Sequence, residues 1–343
     1  MIAWILGVVV AVAGFVLAGL VLFAAWTARQ VEKQVPPRGR FIDVDGAHIH
    51  YLDEGTGPTV LLVHGLAGQM RNFTHSLLGK LRHDFRVVIL DRPGSGYSTR
   101  PDEASATISA QARIVSRFCQ ELKLGRPLIV GHSLGGAIAL ALALNHPEQV
   151  AGLALLAPVT HRPERVPPPF DGLAIASPLL RRLLAWTLAT PLSIANRERA
   201  LATLFGPEPV APDFAVRGGG LLNLRPCSFI GASAELVATH DELGEMPARY
   251  KDLTVPVGIL YGTDDRILDP AAHGKGLAAK VSGADLELIE GGGHMILITS
   301  ADHVAAFVAR MARRAAAAEP PPFPPPRAGE RREGAVAQSM SRK

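Results

Sequence analysis

The segment PLIVGHSLGGAIALAL, residues 127–142, decides the fold and points to the chemistry. Its first four residues form a short apolar run typical of a buried strand, and residues 134–145 have the composition of a helix. Between them, Gly131, Ser133 and Gly135 form a G-x-S-x-G pattern, in which a tight strand-to-helix turn raises the serine hydroxyl. Because glycine has no side chain, Gly131 and Gly135 avoid the collisions that larger residues would cause at such a turn. The segment therefore predicts Ser133 as a catalytic nucleophile.

Outward from this segment, short apolar runs alternate with stretches of helical periodicity. The predicted strands are residues 40–45, 48–53, 59–64, 86–90, 127–130, 151–156, 255–261 and 286–289. The predicted helices are residues 72–81, 105–122, 134–145, 179–188, 271–281 and 301–317. The first two strands, hinged at Gly46, predict an antiparallel pair. The alternation as a whole predicts an α/β fold with a mostly parallel sheet flanked by helices.

The alternation of strands and helices stops in residues 161–250, where short helical segments bounded by prolines take the place of strands. We interpret this stretch as a helical cap inserted between two parts of one core, residues 40–160 and 251–317. A separate C-terminal domain beginning near His161 is the alternative, but the returning strands would leave it a very small sheet. Residues 318–343 are rich in proline and charge, and they predict a disordered tail.

Residues 2–26 form an uncharged apolar run that is long enough to cross a hydrocarbon layer of about 30 Å as a helix. We assign residues 1–28 to a single-pass transmembrane anchor. A cleaved secretory signal is the main alternative, although the run exceeds the roughly 7–15 apolar residues of a signal core. Arg29, Lys33, Arg38 and Arg40 follow the run. By the positive-inside rule they predict a catalytic body on the cytoplasmic side.

The charge distribution argues against a nucleic-acid partner, and the spacing of the two cysteines argues against a metal site. The net charge of +4 and the pI near 9.3 owe much to the two ends, and the body has no basic stripe interleaved with aromatics. Nucleic acid is therefore not a predicted partner. Cys119 and Cys227 lie far apart in no metal-binding spacing, and we interpret them as buried structural thiols. The sequence predicts no cofactor and no metal.

A serine nucleophile needs a base and an acid, which follow it along the chain in the order acid, then histidine. Among the later histidines, only His294 lies on a loop just past a predicted strand, in the glycine-rich stretch EGGGHM. The stretch LYGTDDRILDP supplies three candidate acids, Asp264, Asp265 and Asp269. The residues alone leave the choice open, although Asp269 is also placed to cap the following helix.

Together these stretches resemble the α/β-hydrolase superfamily, in its capped, single-domain bacterial branch, over residues 41–311. The resemblance is carried by His64-Gly65, Asp91-Arg92-Pro93-Gly94-Ser95-Gly96-Tyr97-Ser98, residues 131–136, Gly262-Thr263-Asp264-Asp265 and Gly293-His294. It implies Asp265 as the orienting acid. It also implies that the backbone N–H groups of Leu66 and Leu134 form the oxyanion hole, and that His64, Asp91 and Arg92 brace the loops around it.

A serine nucleophile implies an acyl-enzyme, whereas dehalogenases and epoxide hydrolases of similar layout carry an aspartate there. Ester hydrolysis is the leading interpretation. Carbon–carbon bond hydrolases, perhydrolases and acyltransferases use similar triads and stay open. A non-catalytic binding protein on this fold would be expected to have lost a triad member. The anchor and an apolar set in the cap suggest a lipophilic ester as substrate, although helical spacing also fits ordinary core packing; the set is Leu179, Leu180, Leu183, Leu184 and Trp186.

Overall fold

A single eight-stranded sheet forms the centre of the molecule. The structure is a computed structural model, and it describes residues 1–101 and 103–318. The strands run in the order β1-β2-β4-β3-β5-β6-β7-β8. Their bounds are β1 Arg40–Val44, β2 Ala47–Glu54, β3 Thr59–Val63, β4 Arg86–Leu90, β5 Leu128–His132, β6 Gly152–Leu156, β7 Val257–Gly262 and β8 Asp285–Ile289. All pairs from β4 to β8 are parallel, while β2 is antiparallel to both β1 and β4. The predicted α/β fold is confirmed.

Helices cover the sheet. Their bounds are α1 Ile2–Gln34, α2 Arg71–Thr74, α3 Leu78–Leu81, α4 Ile108–Glu121, α5 Leu134–Asn145, α6 Pro178–Leu184, α7 Thr190–Phe205, α8 Pro226–Ala238, α9 Glu242–Glu245, α10 Gly276–Ala278, α11 Ile296–Thr299 and α12 Ala301–Ala317. Strands β5, β6 and β7 are buried along their whole length, as expected for parallel strands with helices on both faces. Helix α5 is buried from Leu134 to Ala143, which explains why it is apolar all round.

Two predicted helices differ from the structure. Residues 72–81 form the two short helices α2 and α3, which are separated by a turn at residues 75–77. Residues 271–281 begin with a wide turn, Ala271–Lys275, and only then form the short α10. The predicted helices at residues 134–145 and 301–317 have the same bounds in the structure.

Between β6 and β7 lies a helical segment, residues 161–252, which we call the cap. Besides α6 to α9 it contains a π-helical stretch, Ala185–Ala189, and single 3-10 turns at Pro168–Leu173, Gly220–Leu224, Met246–Ala248 and Tyr250–Asp252. The π-helical stretch joins α6 to α7 without a break. The cap touches the core closely at Gly231 of α8, where a Cβ atom would lie 2.1 Å from the carbonyl oxygen of Gly94.

Helix α1 extends eight residues beyond the predicted apolar run. It is the one helix in the described residues that is long and apolar enough to cross a membrane, a test that a signal sequence also passes. Its side chains are mostly exposed as far as Phe23, after which Ala24, Thr27 and Val31 are buried against the cap. The hydroxyl of Tyr97 donates to the carbonyl oxygen of Val35 (2.5 Å), just past the end of the helix. The C-terminal third of α1 is thus part of the folded body.

One sequence interpretation is wrong. Cys119 is buried, but Cys227, near the start of α8, is exposed. The reason is that α8 packs against the core through its later residues, Gly231 to Ser233 and Glu235. The predicted disordered tail, residues 318–343, lies outside the described residues except for Ala318.

Candidate active site

Ser133 lies at the sharp turn between β5 and α5. Its backbone has φ 53° and ψ −119°, a conformation that is strained for a residue with a side chain. The flanking glycines are required by packing: a Cβ atom on Gly131 would lie 2.5 Å from the carbonyl oxygen of Gly135, and one on Gly135 would lie 2.1 Å from that of Val63. Ser133 is 9% exposed. The turn has the geometry in which a strand-to-helix elbow presents a nucleophile.

His294 and Asp265 meet at the carboxyl edge of the sheet. Asp265 follows β7 and His294 follows β8, so adjacent parallel strands bring their loops together. The His294 Nδ1 atom lies 2.7 Å from Asp265 Oδ2, and both side chains are at most 2% exposed. Of the other two candidate acids, Asp264 is exposed, and Asp269 accepts a hydrogen bond from the N–H of Ala271 (2.9 Å). Only the Asp265 carboxylate contacts the imidazole.

The surroundings of Asp265 keep it ionised. Burial alone would raise its pKa, but the nearby imidazole of His294 and hydrogen bonds from the N–H groups of Ile267 (2.8 Å) and Leu268 (3.0 Å) bring the pKa below its ordinary value. A carboxylate can only accept hydrogen bonds, so His294 Nδ1 must carry the proton. The other ring nitrogen, Nε2, is then free to accept one, which is the tautomer that a general base needs.

The backbone amides of Leu66 and Leu134, which are expected to form the oxyanion hole, belong to two elements next to Ser133. Leu134 is the first residue of α5, so its N–H has no acceptor within the helix. The loop after β3 approaches from the other side, since a Cβ atom on Gly65 would lie 2.8 Å from Ser133 Cβ. The Leu66 amide follows directly on this loop. Gly65 therefore has no room for a side chain beside the serine.

His64 supports this loop from below. It is fully buried; its Nδ1 donates to the carbonyl oxygen of Gly65 (2.9 Å), and its Nε2 accepts the N–H of Arg92 (2.9 Å). Burial and the neighbouring Arg92 charge lower the pKa of His64 to about 3, so the ring is neutral. With both nitrogens occupied by backbone, His64 has neither the position nor the free lone pair of a base.

Arg92 ties the same loop to the cap. Its side chain donates to the carbonyl oxygens of His64 (2.9 Å) and Gly65 (2.8 Å) and also forms a two-pronged ion pair with Glu235 of α8 (3.0 and 2.9 Å). Neither partner of the ion pair is exposed. Asp91 holds the adjacent turns by accepting the N–H groups of Met70 (2.7 Å) and Tyr97 (2.9 Å). The bracing by both residues had been expected, but a partner for Arg92 from the cap had not.

Three residues around the site were missed by sequence reasoning. Glu235 had a signal, because it is the one charged residue in the apolar helix Pro226–Ala238. Glu208 of the cap accepts the N–H of Gly293 (2.8 Å), beside the histidine, and nothing in its local sequence marks it. His132 donates through Nε2 to the carbonyl oxygen of His294 (3.1 Å), and burial lowers its pKa to about 3. All three hold the His294 and oxyanion loops in place.

Comparison with known proteins agrees with the fold. A family profile described as the alpha/beta hydrolase fold matches residues 58–202. This chain has the α/β-hydrolase fold. Among solved structures, it resembles the crystal structure of a membrane phospholipase A, a bacterial virulence factor. The two sequences are 25% identical, and the structures superpose with a TM-score of 0.60 over 91% of this chain and 99% of the other.

Proteins that are similar to this chain in sequence have different activities. A dihydrolipoyllysine-residue acetyltransferase component of an acetoin cleaving system from Cupriavidus necator is 40% identical over 121 residues, but the match covers 35% of this chain and 32% of that protein. A 2-hydroxy-6-oxononadienedioate/2-hydroxy-6-oxononatrienedioate hydrolase from Burkholderia vietnamiensis is 28% identical over 251 residues, covering 72% of this chain and 84% of that one. The shared fold therefore leaves the substrate open.

Proposed function

We propose that this α/β-hydrolase is a membrane-anchored serine hydrolase that cleaves a carboxylic ester through an acyl-enzyme. The observation that supports the proposal most directly is the buried His294–Asp265 contact of 2.7 Å at the same sheet edge as the strained turn at Ser133. A nucleophile, a base in the correct tautomer and a buried orienting carboxylate are the three parts of a triad. No step of the proposed reaction requires a metal or a cofactor.

The proposed reaction uses each part in turn. Ser133 Oγ attacks the carbonyl carbon while its proton passes to His294 Nε2, and Asp265 stabilises the imidazolium that forms. The carbonyl oxygen becomes an oxyanion, which accepts hydrogen bonds from the backbone N–H groups of Leu66 and Leu134. The intermediate collapses when the bond to the alcohol oxygen breaks, and the imidazolium gives its proton to that oxygen. Water then attacks the acyl-enzyme by the same route and releases the acid.

The surface of the cap supports a lipophilic ester as the substrate. Most of the large apolar side chains of α6, the π-helical stretch and the start of α7 are exposed to solvent, namely Leu179, Leu180, Leu183, Trp186, Leu188 and Leu192. Helix α1 packs against the same region, at Ala185–Ala189. Monomeric soluble proteins rarely expose contiguous apolar patches of this kind. An apolar cap surface next to an apolar anchor would lie at the membrane, where lipids and their esters are concentrated.

Carbon–carbon bond hydrolysis is the second candidate, because the relative from Burkholderia vietnamiensis matches 72% of this chain. A screen of p-nitrophenyl esters of graded acyl length separates the two. We expect measurable ester turnover that increases from acetate to chains of medium length, because the cap surface is apolar. A vinylogous 1,5-diketone of the kind such hydrolases cleave is the comparison substrate. Turnover of the diketone with no turnover of any ester would contradict the proposal.

The anchor gives a second prediction. The uncharged apolar run at residues 2–26 should insert far more firmly than a single myristoyl chain, so the full-length protein should stay with membranes after washing with high salt and with carbonate. The measurement is the distribution of the protein between pellet and supernatant, together with the mass of the mature chain. Recovery in the supernatant, or a mature chain shortened at its N terminus, would instead identify a cleaved signal. Protease access to residues 29–40 in intact cells or spheroplasts then tests the predicted cytoplasmic side.

A further inference from the structure

A cavity lies outside the candidate active site, where α1 ends and the chain turns into β1. Its volume is about 560 Å³, and its walls include Gln34 and Pro36 from the end of α1 and Met70 from the loop before α2. Neither the candidate triad nor the oxyanion residues line it. Its most prominent feature is a set of five guanidinium groups, those of Arg38, Arg40, Arg71, Arg82 and Arg217.

The cavity carries an excess of positive charge. Its five arginines face two carboxylates, Asp53 and Glu54, which leaves three positive charges in excess. Two residues just outside the cavity leave this balance unchanged, because Arg86 pairs with Asp53 and Asp213 pairs with Arg217. Clustered like charges of this kind disfavour the folded state unless a counter-charge is present.

Three of the five arginines lack an anionic partner. Arg82 is paired with Glu54 (3.1 Å) and Arg217 with Asp213 (2.7 Å). Within residues 1–101 and 103–318, the guanidinium groups of Arg38 and Arg40 take part in no hydrogen bond or ion pair, and both residues are exposed on the cavity wall.

Among the residues that the structure describes, the guanidinium group of Arg71 donates only to backbone carbonyl oxygens, those of Pro36 (2.5 Å) and Val216 (3.5 Å). It is only partly exposed. Burial and the neighbouring charge of Arg38 both lower the pKa of Arg71, which means that its charge is poorly compensated where it stands.

We propose that this cavity is a binding site for a phosphate-bearing anion, held by the guanidinium groups of Arg38, Arg40 and Arg71. Guanidinium forks match the oxygens of phosphate in pairs, and such charge-assisted bonds are about twice as strong as neutral ones. An anion here would supply the counter-charge that the cavity lacks. The site is independent of the proposed catalysis, because it shares no residue with the triad.

The anion can come from two sources. Gln34 lies ten residues past Ala24, the first buried residue of α1, which is about 15 Å along the helix. The headgroup layer is only about 5–8 Å thick on each side of the hydrocarbon. A lipid headgroup therefore reaches the cavity if the body tilts toward the membrane, whereas a soluble phosphate or phosphate ester reaches it in any orientation.

The test uses the full-length protein in an uncharged maltoside detergent, titrated with inorganic phosphate at constant ionic strength. The midpoint of thermal unfolding should rise with phosphate in the wild type. In the double variant Arg38→Gln/Arg40→Gln the affinity should fall by roughly 10-fold or more, because two charged hydrogen-bond donors are lost. Both positions are exposed, so the variant should fold normally. Arg313→Gln, which removes a charge from exposed α12 outside the cavity, is the matched control and should titrate like the wild type.

A second arm distinguishes the sources. The protein is placed in nanodiscs that contain phosphatidylglycerol and, for comparison, in nanodiscs of phosphatidylcholine alone. If an anionic headgroup occupies the cavity, phosphate should no longer bind in the phosphatidylglycerol discs. If the ligand is a soluble phosphate, phosphate should bind equally well in both kinds of disc. Either outcome is consistent with the site. Absence of phosphate binding by the wild type in detergent, or equal binding by the wild type and the Arg38→Gln/Arg40→Gln variant, would overturn it.

Discussion

Ser133→Ala should lower ester turnover by roughly 10⁴-fold or more, the loss that follows removal of a triad nucleophile. The substitution removes one oxygen atom from a side chain that is 9% exposed, so the elbow and its packing should be retained. His294→Ala should be similarly severe. Because the members of a triad act as a unit, the double variant should be little worse than either single one. The measurement is kcat/KM for the best ester of the chain-length screen.

The matched control for the nucleophile is a buried serine elsewhere in the core that contacts no candidate catalytic group. Ser116 on α4 is buried and donates a hydrogen bond to Gln149 (2.9 Å), so Ser116→Ala tests the loss of a buried hydroxyl alone. It should keep turnover within a few-fold of the wild type. A fluorophosphonate probe should label the wild type and the control but not Ser133→Ala. Near-normal turnover of purified Ser133→Ala would exclude Ser133 as the nucleophile.

The sheet and the order of its elements were predictable because each strand carries its own local signal. The central strands are short apolar runs bounded by glycine or proline, and α5 and α12 have the predicted bounds. The positions of Ser133 and His294 in sharp loops were predictable for the same reason, since the glycines on both sides of Ser133 and the three glycines before His294 mark where the chain must turn closely. Signals of this kind depend only on neighbours in sequence.

Contacts between distant elements were not predictable in this way. The Arg92–Glu235 ion pair joins residues 143 positions apart, and the sequence shows only that each charge is unusual in its surroundings. The docking of α1 is similar. An apolar run predicts a membrane helix but not that its last third would be buried against the cap, held by Tyr97 at Val35. The turn at residues 75–77, which separates α2 from α3, is likewise not marked by helical periodicity.

Family resemblance and the geometry of the structure both favour Asp265 as the acid that orients His294. Local sequence left Asp264, Asp265 and Asp269 equivalent, and the resemblance implied Asp265. In the structure the Asp265 carboxylate contacts His294 and accepts two backbone N–H groups, while Asp264 points to solvent and receives only the hydroxyl of Thr263 (3.2 Å). The two neighbours therefore make a matched pair, in which the same chemical change tests the role of position alone.

Asp265→Asn should lower kcat by roughly 10⁴-fold with little change in fold, because an amide of the same shape no longer fixes the proton on His294 Nδ1. An asparagine can present its NH₂ group to that nitrogen, which favours the tautomer with the proton on Nε2, and the base then has no lone pair for the serine proton. Asp264→Asn should change kcat by no more than a few-fold. The measurement is kcat and KM for both variants, with thermal unfolding as the check on folding. A larger loss for Asp264→Asn than for Asp265→Asn would assign the orienting acid to Asp264, and equal small losses would mean that His294 needs no carboxylate partner.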